Sequence, residues 1–198
     1  MAKKIAVLVS GGGTNLQALI DAKNRNELGG GEIALVISSK PGVYALQRAA
    51  DNGIPAVVVA RKKPFVPAEY DEEMHKTLTD NNIDLIVLAG FLSILGEKVL
   101  SAYSDKIINV HPALIPSFCG KGFYGLRVHE AVLEYGVKLT GATVHYVNNI
   151  VDGGKIILQK AIDIMPEDTP ETLQKRVMEE CEWQLLPRAV AMICSENE

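Results

Sequence analysis

The chain has 198 residues, a net charge of −4 at pH 7, and hydrophobic and charged fractions of 47% and 22%. These values suit one soluble globular domain with a substantial core, and they argue against a general nucleic-acid surface, which needs a far more basic balance. No run reaches the roughly 18 uninterrupted apolar residues of a membrane span, and three cysteines without paired spacing (Cys119, Cys181, Cys194) argue against a disulfide framework or zinc and for a reducing cytoplasm.

In chain order, the first apolar run is 4–9 (KIAVLV), behind two lysines. It is too short for a signal peptide and ends in glycines rather than a small-residue cleavage site, so it is expected to be the first strand. Gly11-Gly12-Gly13 then opens a helix over 14–27. Further strands are expected at 33–38, 56–59, 84–89 and 106–110, short, β-branched and apolar on both faces. Helices fill 43–52, 68–81 and 92–103, with turns at Gly29-Gly30-Gly31, Lys40-Pro41-Gly42 and Gly53. Repeated βα units predict an α/β fold with a doubly wound, mostly parallel sheet. After residue 111 comes a loop with glycines at 120, 122 and 125, then a helix over 126–135. Strands at 141–147 and 155–164 predict an antiparallel C-terminal edge. A last helix is expected over 169–194, with Asp168 or Thr169 as cap and Pro170 in its first turn.

Open α/β sheets bind ligands beyond the carboxyl ends of their strands. The first such end delivers Gly11, Gly12, Gly13, Thr14 and Asn15. Glycines let backbone amides approach an anion, and a helix N-terminus adds partial positive charge. Leu16 fills the third-glycine position of the dinucleotide fingerprint, no Gly-Lys-Ser/Thr ending follows, and no acidic residue clearly ends the second strand. The turn therefore suits a single monophosphate, held by Gly12, Gly13, Thr14 and Asn15. A tight strand–helix turn capped by Thr14 uses the same residues, although three glycines exceed what a cap requires.

Asn109 and His111 lie two apart on the fifth strand and share a face, a hydrogen-bond donor beside a titratable imidazole. Asp152 sits in VDGG, a pattern that also makes a plain turn. His145 shares a face with Thr143 and reads equally as a site residue or a core histidine.

The set SGGGTNLQAL, LAGFLSIL, INVHPALIPSF, GATVHYV and VDGGKIILQ, in this order along nearly the whole chain, resembles the folate-dependent formyltransferases. Within that family the first motif and the length are similar to the branch that formylates glycinamide ribonucleotide in purine synthesis. The resemblance implies a Rossmann-like formyltransferase domain over 1–198, with a phosphate-binding half (1–110) and a folate and catalytic half (111–198). It implies a catalytic trio of Asn109, His111 and Asp152, and a ribonucleotide phosphate on the Gly12–Asn15 turn. Glu182 matches an acidic contact to that substrate, in a stretch from Val177 to Pro187 one residue longer than the family's usual pattern. Leu92, Ser93, Ile94 and Leu95, with Asn109 and with Asn148, Asn149, Ile150 and Val151, match the folate-binding segments. Ser93 and Pro67 stand where relatives often carry arginine, and the loop around 117–127 is longer than in some members.

The implied co-substrate is 10-formyltetrahydrofolate, with no tightly bound cofactor and no metal. The implied partners are small molecules, with neither nucleic acid nor membrane, for a cytoplasmic monomer or homodimer. Asn109 would donate to the tetrahedral oxyanion. A protonated His111 would supply a proton, its charge favoured by Asp152. A formyl-folate hydrolase is expected to carry a further N-terminal domain, and a methionyl-tRNA formyltransferase a further C-terminal one. Two unrelated readings are a hydrolase using Cys119 with His111 or His129, and a non-catalytic nucleotide-binding module.

Overall fold

The computed structural model describes residues 2–195. One seven-stranded sheet organises the chain: β1 (Lys4–Val9), β2 (Glu32–Ser38), β3 (Ala56–Val58), β4 (Leu85–Leu88), β5 (Ile107–His111), β6 (Leu139–Tyr146) and β7 (Ile156–Asp163), in the order β3-β2-β1-β4-β5-β6-β7. The first five strands pair in parallel; β6 pairs antiparallel to β5, and β7 to β6. The doubly wound sheet with an antiparallel edge is therefore as expected. The helices are α1 (Thr14–Asn24), α2 (Tyr44–Asp51), α3 (Pro67–Asp80), α4 (Glu97–Ala102), α5 (Leu126–Tyr135), α6 (Pro170–Val177) and α7 (Trp183–Ser195).

Successive strand residues point to opposite faces, so each face has its own core. Ile5, Val7, Val9, Val87, Ile108 and Val110 pack with buried residues of α1, α2, α5, α6 and α7. Ala6, Leu8, Leu35, Ile86 and Ile107 pack with Tyr70, Met74 and Leu78 of α3 and Val99 of α4. Burial of this kind contributes roughly 25 cal/mol per Å² of apolar surface. Among the described residues no helix is long and apolar enough to cross a membrane.

Two helices differ from expectation. The helix expected at 92–103 starts only at Glu97. Asp71, buried on α3, accepts the amides of Lys98 at 2.8 Å and Val99 at 3.3 Å, and so caps the chain there. The carboxylate lies against Gly96, where a Cβ would be 2.2 Å from Asp71 Cγ. The stretch 92–96 is left as a loop at the ligand-binding edge. The helix expected at 169–194 is split by a π-helical turn, Met178–Glu182. Thr169 caps α6 with a reciprocal bond to Thr172, and Pro187 lies inside α7 just beyond the π turn. Proline offers no N–H to the preceding turn, which loosens the ladder there.

Candidate active site

The glycine turn joins β1 to α1. Gly13, at φ +74°, is the residue before the helix, and no side chain caps it; the cap is therefore Gly13, not Thr14, which begins the helix proper. A Cβ at Gly13 would stand 2.7 Å from the Ala45 Cβ, whereas Gly11 and Gly12 face open space. No acidic residue occupies the first turn of α1, so nothing there competes with an anion for the free amides. Asn15 turns inward, where its Nδ2 donates to Glu182 Oε2 at 2.6 Å. Its Oδ1 is buried without a hydrogen-bond partner among the described residues. Burial pushes the Glu182 carboxyl up, and the Asn15 bond only partly opposes this. The π turn thus delivers Glu182 to the start of α1, beside the glycine turn. Thr14 Oγ1 points at Met178 Sδ, 3.9 Å away.

Beyond β5 the candidate catalytic groups converge. Asn109 and His145 are register partners across β5 and β6, and Asn109 Nδ2 lies 3.2 Å from His145 Nε2. His145 Nδ1 lies 2.8 Å from the Tyr146 carbonyl and must donate to it. Its Nε2 therefore carries a lone pair and accepts from Asn109, which fixes the amide's orientation. Burial lowers the pKa of His145, outweighing the Tyr146 carbonyl and Asp152, so the neutral ring is the form present. Asp152 lies between two imidazoles, with Oδ1 3.7 Å from His145 Nε2 and Oδ2 3.6 Å from His111 Nδ1. Its Oδ2 accepts the Gly120 amide at 2.8 Å. His111 Nε2 is 2.8 Å from the Phe118 carbonyl and donates to it, leaving Nδ1 as the nitrogen free to exchange a proton. Both contacts come from the loop at 117–125, which follows from no local pattern in the sequence.

Asp152 holds φ +55°, an uncommon conformation for a non-glycine residue. The glycines after it are required: a Cβ on Gly153 would meet Ile150 at 2.5 Å, and one on Gly154 the Tyr146 carbonyl at 1.7 Å. Asn148 Oδ1 accepts the Ile150 amide at 2.9 Å and shapes this loop. Thr143 Oγ1 donates to the Ala113 carbonyl at 2.7 Å and accepts from Ile115 N at 3.1 Å, pinning the turn behind His111. Exposed apolar side chains stand on both loops, Leu92 (57%) and Ile94 (70%) on one, Ile150 (63%) and Val151 (52%) on the other. The side chain of Leu95, the last residue of this segment, packs in the core on the α3–α4 face. Cys119 makes a poor nucleophile, since burial and Asp152 push its thiol pKa up and its Sγ donates to the Pro116 carbonyl. His129 is wholly buried on α5, held down to about 4 by burial and, to a lesser degree, by His111.

The pattern of the formyl transferase family matches residues 3–190. The chain belongs to that family. It is 42% identical over 188 residues to the phosphoribosylglycinamide formyltransferase of Haemophilus influenzae, covering 95% of this chain and 85% of that one. It is also 42% identical over 192 residues to the trifunctional purine biosynthetic protein adenosine-3 of Drosophila melanogaster, where the match covers 96% of this chain but only 14% of the relative. The crystal structure of phosphoribosylglycinamide formyltransferase from Bacillus halodurans superposes with a TM-score of 0.90 at 36% identity, covering 99% of this chain and 97% of that one.

For a member of this family, His145 is the residue that sequence reasoning left undecided. Its signal in the sequence is the shared face with Thr143, and the β5–β6 register sets it beside Asn109. Ser93 borders a cleft of about 380 Å³ that is also lined by Lys40 and Arg61, from the loops after β2 and β3.

Proposed function

We propose that this formyl transferase moves the formyl group of 10-formyltetrahydrofolate to the amine of N1-(5-phosphoribosyl)glycinamide, a step of purine synthesis, acting in the cytoplasm on small molecules as a monomer or homodimer. The observation that carries this reading is the convergence of Asn109, His145, Asp152 and His111, whose facing polar atoms stand 3.2 to 3.7 Å apart on the strand edge that also presents the glycine turn. Residues 1–110 hold the phosphate and supply the Asn109 donor, and 111–198 supply His111 and Asp152 and, with the 92–95 loop, the folate contacts. The apolar loops at 92–94 and 150–151 suit the two faces of a flat heterocycle.

Attack by the amine forms a new C–N bond at the formyl carbon and places negative charge on its oxygen. The second N–H of Asn109, whose first is held by His145, donates to that oxygen; losing such a donor costs about 2.7–4 kcal/mol. His111 provides a proton from Nδ1, and Asp152 balances the imidazolium. The amine's proton passes to Asp152 Oδ1, the oxygen not engaged by Gly120. The bond to the folate N10 then breaks as N10 takes the Nδ1 proton of His111, formylglycinamide ribonucleotide and tetrahydrofolate leave, and the proton held by Asp152 passes to His111 Nδ1 to restore the starting state. Acid–base help of this kind contributes about 10²–10⁴-fold. Buried Asn15 Oδ1 and Glu182 stand ready to accept from the ribose or glycinamide N–H and O–H groups.

The test is to supply 10-formyl-5,8-dideazafolate with glycinamide ribonucleotide and to look for the formylated product. Deformylated folate released equally fast without ribonucleotide would make the protein a hydrolase instead.

A further inference from the structure

Every carbonyl of the glycine turn is already engaged. Gly11 O accepts from Ala45 N at 3.2 Å, Gly12 O from Arg48 Nε at 2.9 Å, and Gly13 O from Gln17 N at 2.9 Å. In a planar trans peptide the N–H points opposite to the carbonyl before it. Fixing these three carbonyls therefore fixes the N–H groups of Gly12, Gly13 and Thr14 on the other side of the turn. Two of the fixing donors are backbone amides; the one for the central peptide is a side chain, Arg48.

Arg48 is itself held. Its NH1 donates to Gln17 Oε1 at 2.9 Å, and Gln17 is oriented in turn by Nε2 donating to Asp21 at 2.8 Å. The guanidinium lies over the Tyr44 ring, 4.8 Å from its centroid. The two hydrogen-bond acceptors seen for Arg48, Gly12 O and Gln17 Oε1, are both uncharged, so neither cancels its positive charge beside the turn.

The geometry points to Arg48 as a positioning residue for the ribonucleotide phosphate, aiming the Gly13 amide at it and lending the site charge from α2. This inference rests on reading the turn as a phosphate seat. It predicts a substrate preference built on the phosphate group rather than on the amine.

The experiment compares the wild-type protein with Arg48→Met and Arg48→Lys, using glycinamide ribonucleotide and the unphosphorylated glycinamide riboside. Arg48→Met is expected to raise KM for the ribonucleotide about ten-fold or more, since hydrogen bonds and charges facing ionised groups are the strong ones. Turnover number, KM for the formyl-folate and use of the riboside should stay as in the wild type. Arg48→Lys keeps the charge without the fixed Nε geometry and should recover part of the loss. Inorganic phosphate, tested by thermal shift, should stabilise the wild type and lose its effect in Arg48→Met in parallel. Equal losses with both substrates, or unchanged stabilisation by phosphate, would overturn the inference. If Arg48→Met does not fold, Gln17→Met, which removes only the support of the guanidinium, should give a smaller loss in the same direction, and no loss would count against it. A wild type that binds phosphate but forms no formylated product would refute the proposed function while leaving Arg48 testable by the phosphate shift.

Discussion

The two ends of the site are built from different materials. The end proposed for the phosphate is main chain: glycine amides aimed by tied carbonyls, with one φ of +74° and no room for a Cβ at Gly13. The catalytic end is side chain: an amide, two imidazoles and a carboxylate, held by loop atoms such as Phe118 O and Gly120 N. Backbone amides carry no titrating group, so at the first end the charge can change only through the buried Glu182 beside Asn15. Protonation at the second end can change during turnover, and its loops decide which nitrogen is free. Binding and chemistry are thereby separable, which gives the comparison measurable content.

The largest effect belongs to Asp152→Asn. It should lower kcat by about 10²–10⁴-fold, with the ribonucleotide KM little changed. A wild-type pH profile in that variant would remove Asp152 from the proton path. Asn109→Ala should lower kcat by about 10²–10³-fold, through loss of an oxyanion donor. Here the sharper reading is a transition-state or tetrahedral-intermediate analogue, whose affinity should fall in proportion. Gly13→Ala acts at the other end: the strained φ and the 2.7 Å clash with Ala45 predict a stability loss of about 1–3 kcal/mol and a raised ribonucleotide KM. If Gly13→Ala struck kcat as hard as KM, the division between the two ends would fail.

The smallest effect is on stability rather than catalysis. His129 is held neutral to about pH 4, against an ordinary value of 6.5, so the unfolded chain binds a proton that the folded chain refuses. Its cost to stability is absent above the ordinary value and grows as pH falls from 6.5 towards 4, to about 3 kcal/mol. Neither ring nitrogen has a hydrogen-bond partner among the described residues. His129→Leu should therefore raise the urea midpoint more at pH 5 than at pH 7. His145, also lowered, leaves part of the acid slope in place, while Glu182, raised by burial, adds stability on the acid side and loses it as pH rises. A variant whose midpoint difference is equal at both pH values would assign the acid sensitivity elsewhere.

Much of this was legible in the sequence because it is local. Strand and helix periodicity located the seven strands, and Asn109 and His111 share a face by spacing alone. What the sequence could not convey depends on partners far along the chain. The late start of α4 is set by Asp71, more than twenty residues upstream. That the Leu95 side chain packs into the core on the α3–α4 face depends likewise on α3. The role of His145 needed the β5–β6 register, and the loop at 117–125 became part of the site only through Phe118 O and Gly120 N. Arg48 lies thirty-six positions from the carbonyl it holds.

The π turn at Met178–Glu182 has a geometric role as well. In an α-helix, residues four apart drift around the axis by about 40° at each step. The buried series Leu173, Val177, Cys181, Leu185, Ala189 would therefore wind progressively off the sheet if the helix were regular. One wider turn in the middle takes back much of that rotation, and both halves keep their apolar stripe on the same face. The turn works as a phase corrector: the step that aims one carboxylate at Asn15 and the glycine turn also keeps a 26-residue run of α6, π turn and α7 seated along its length.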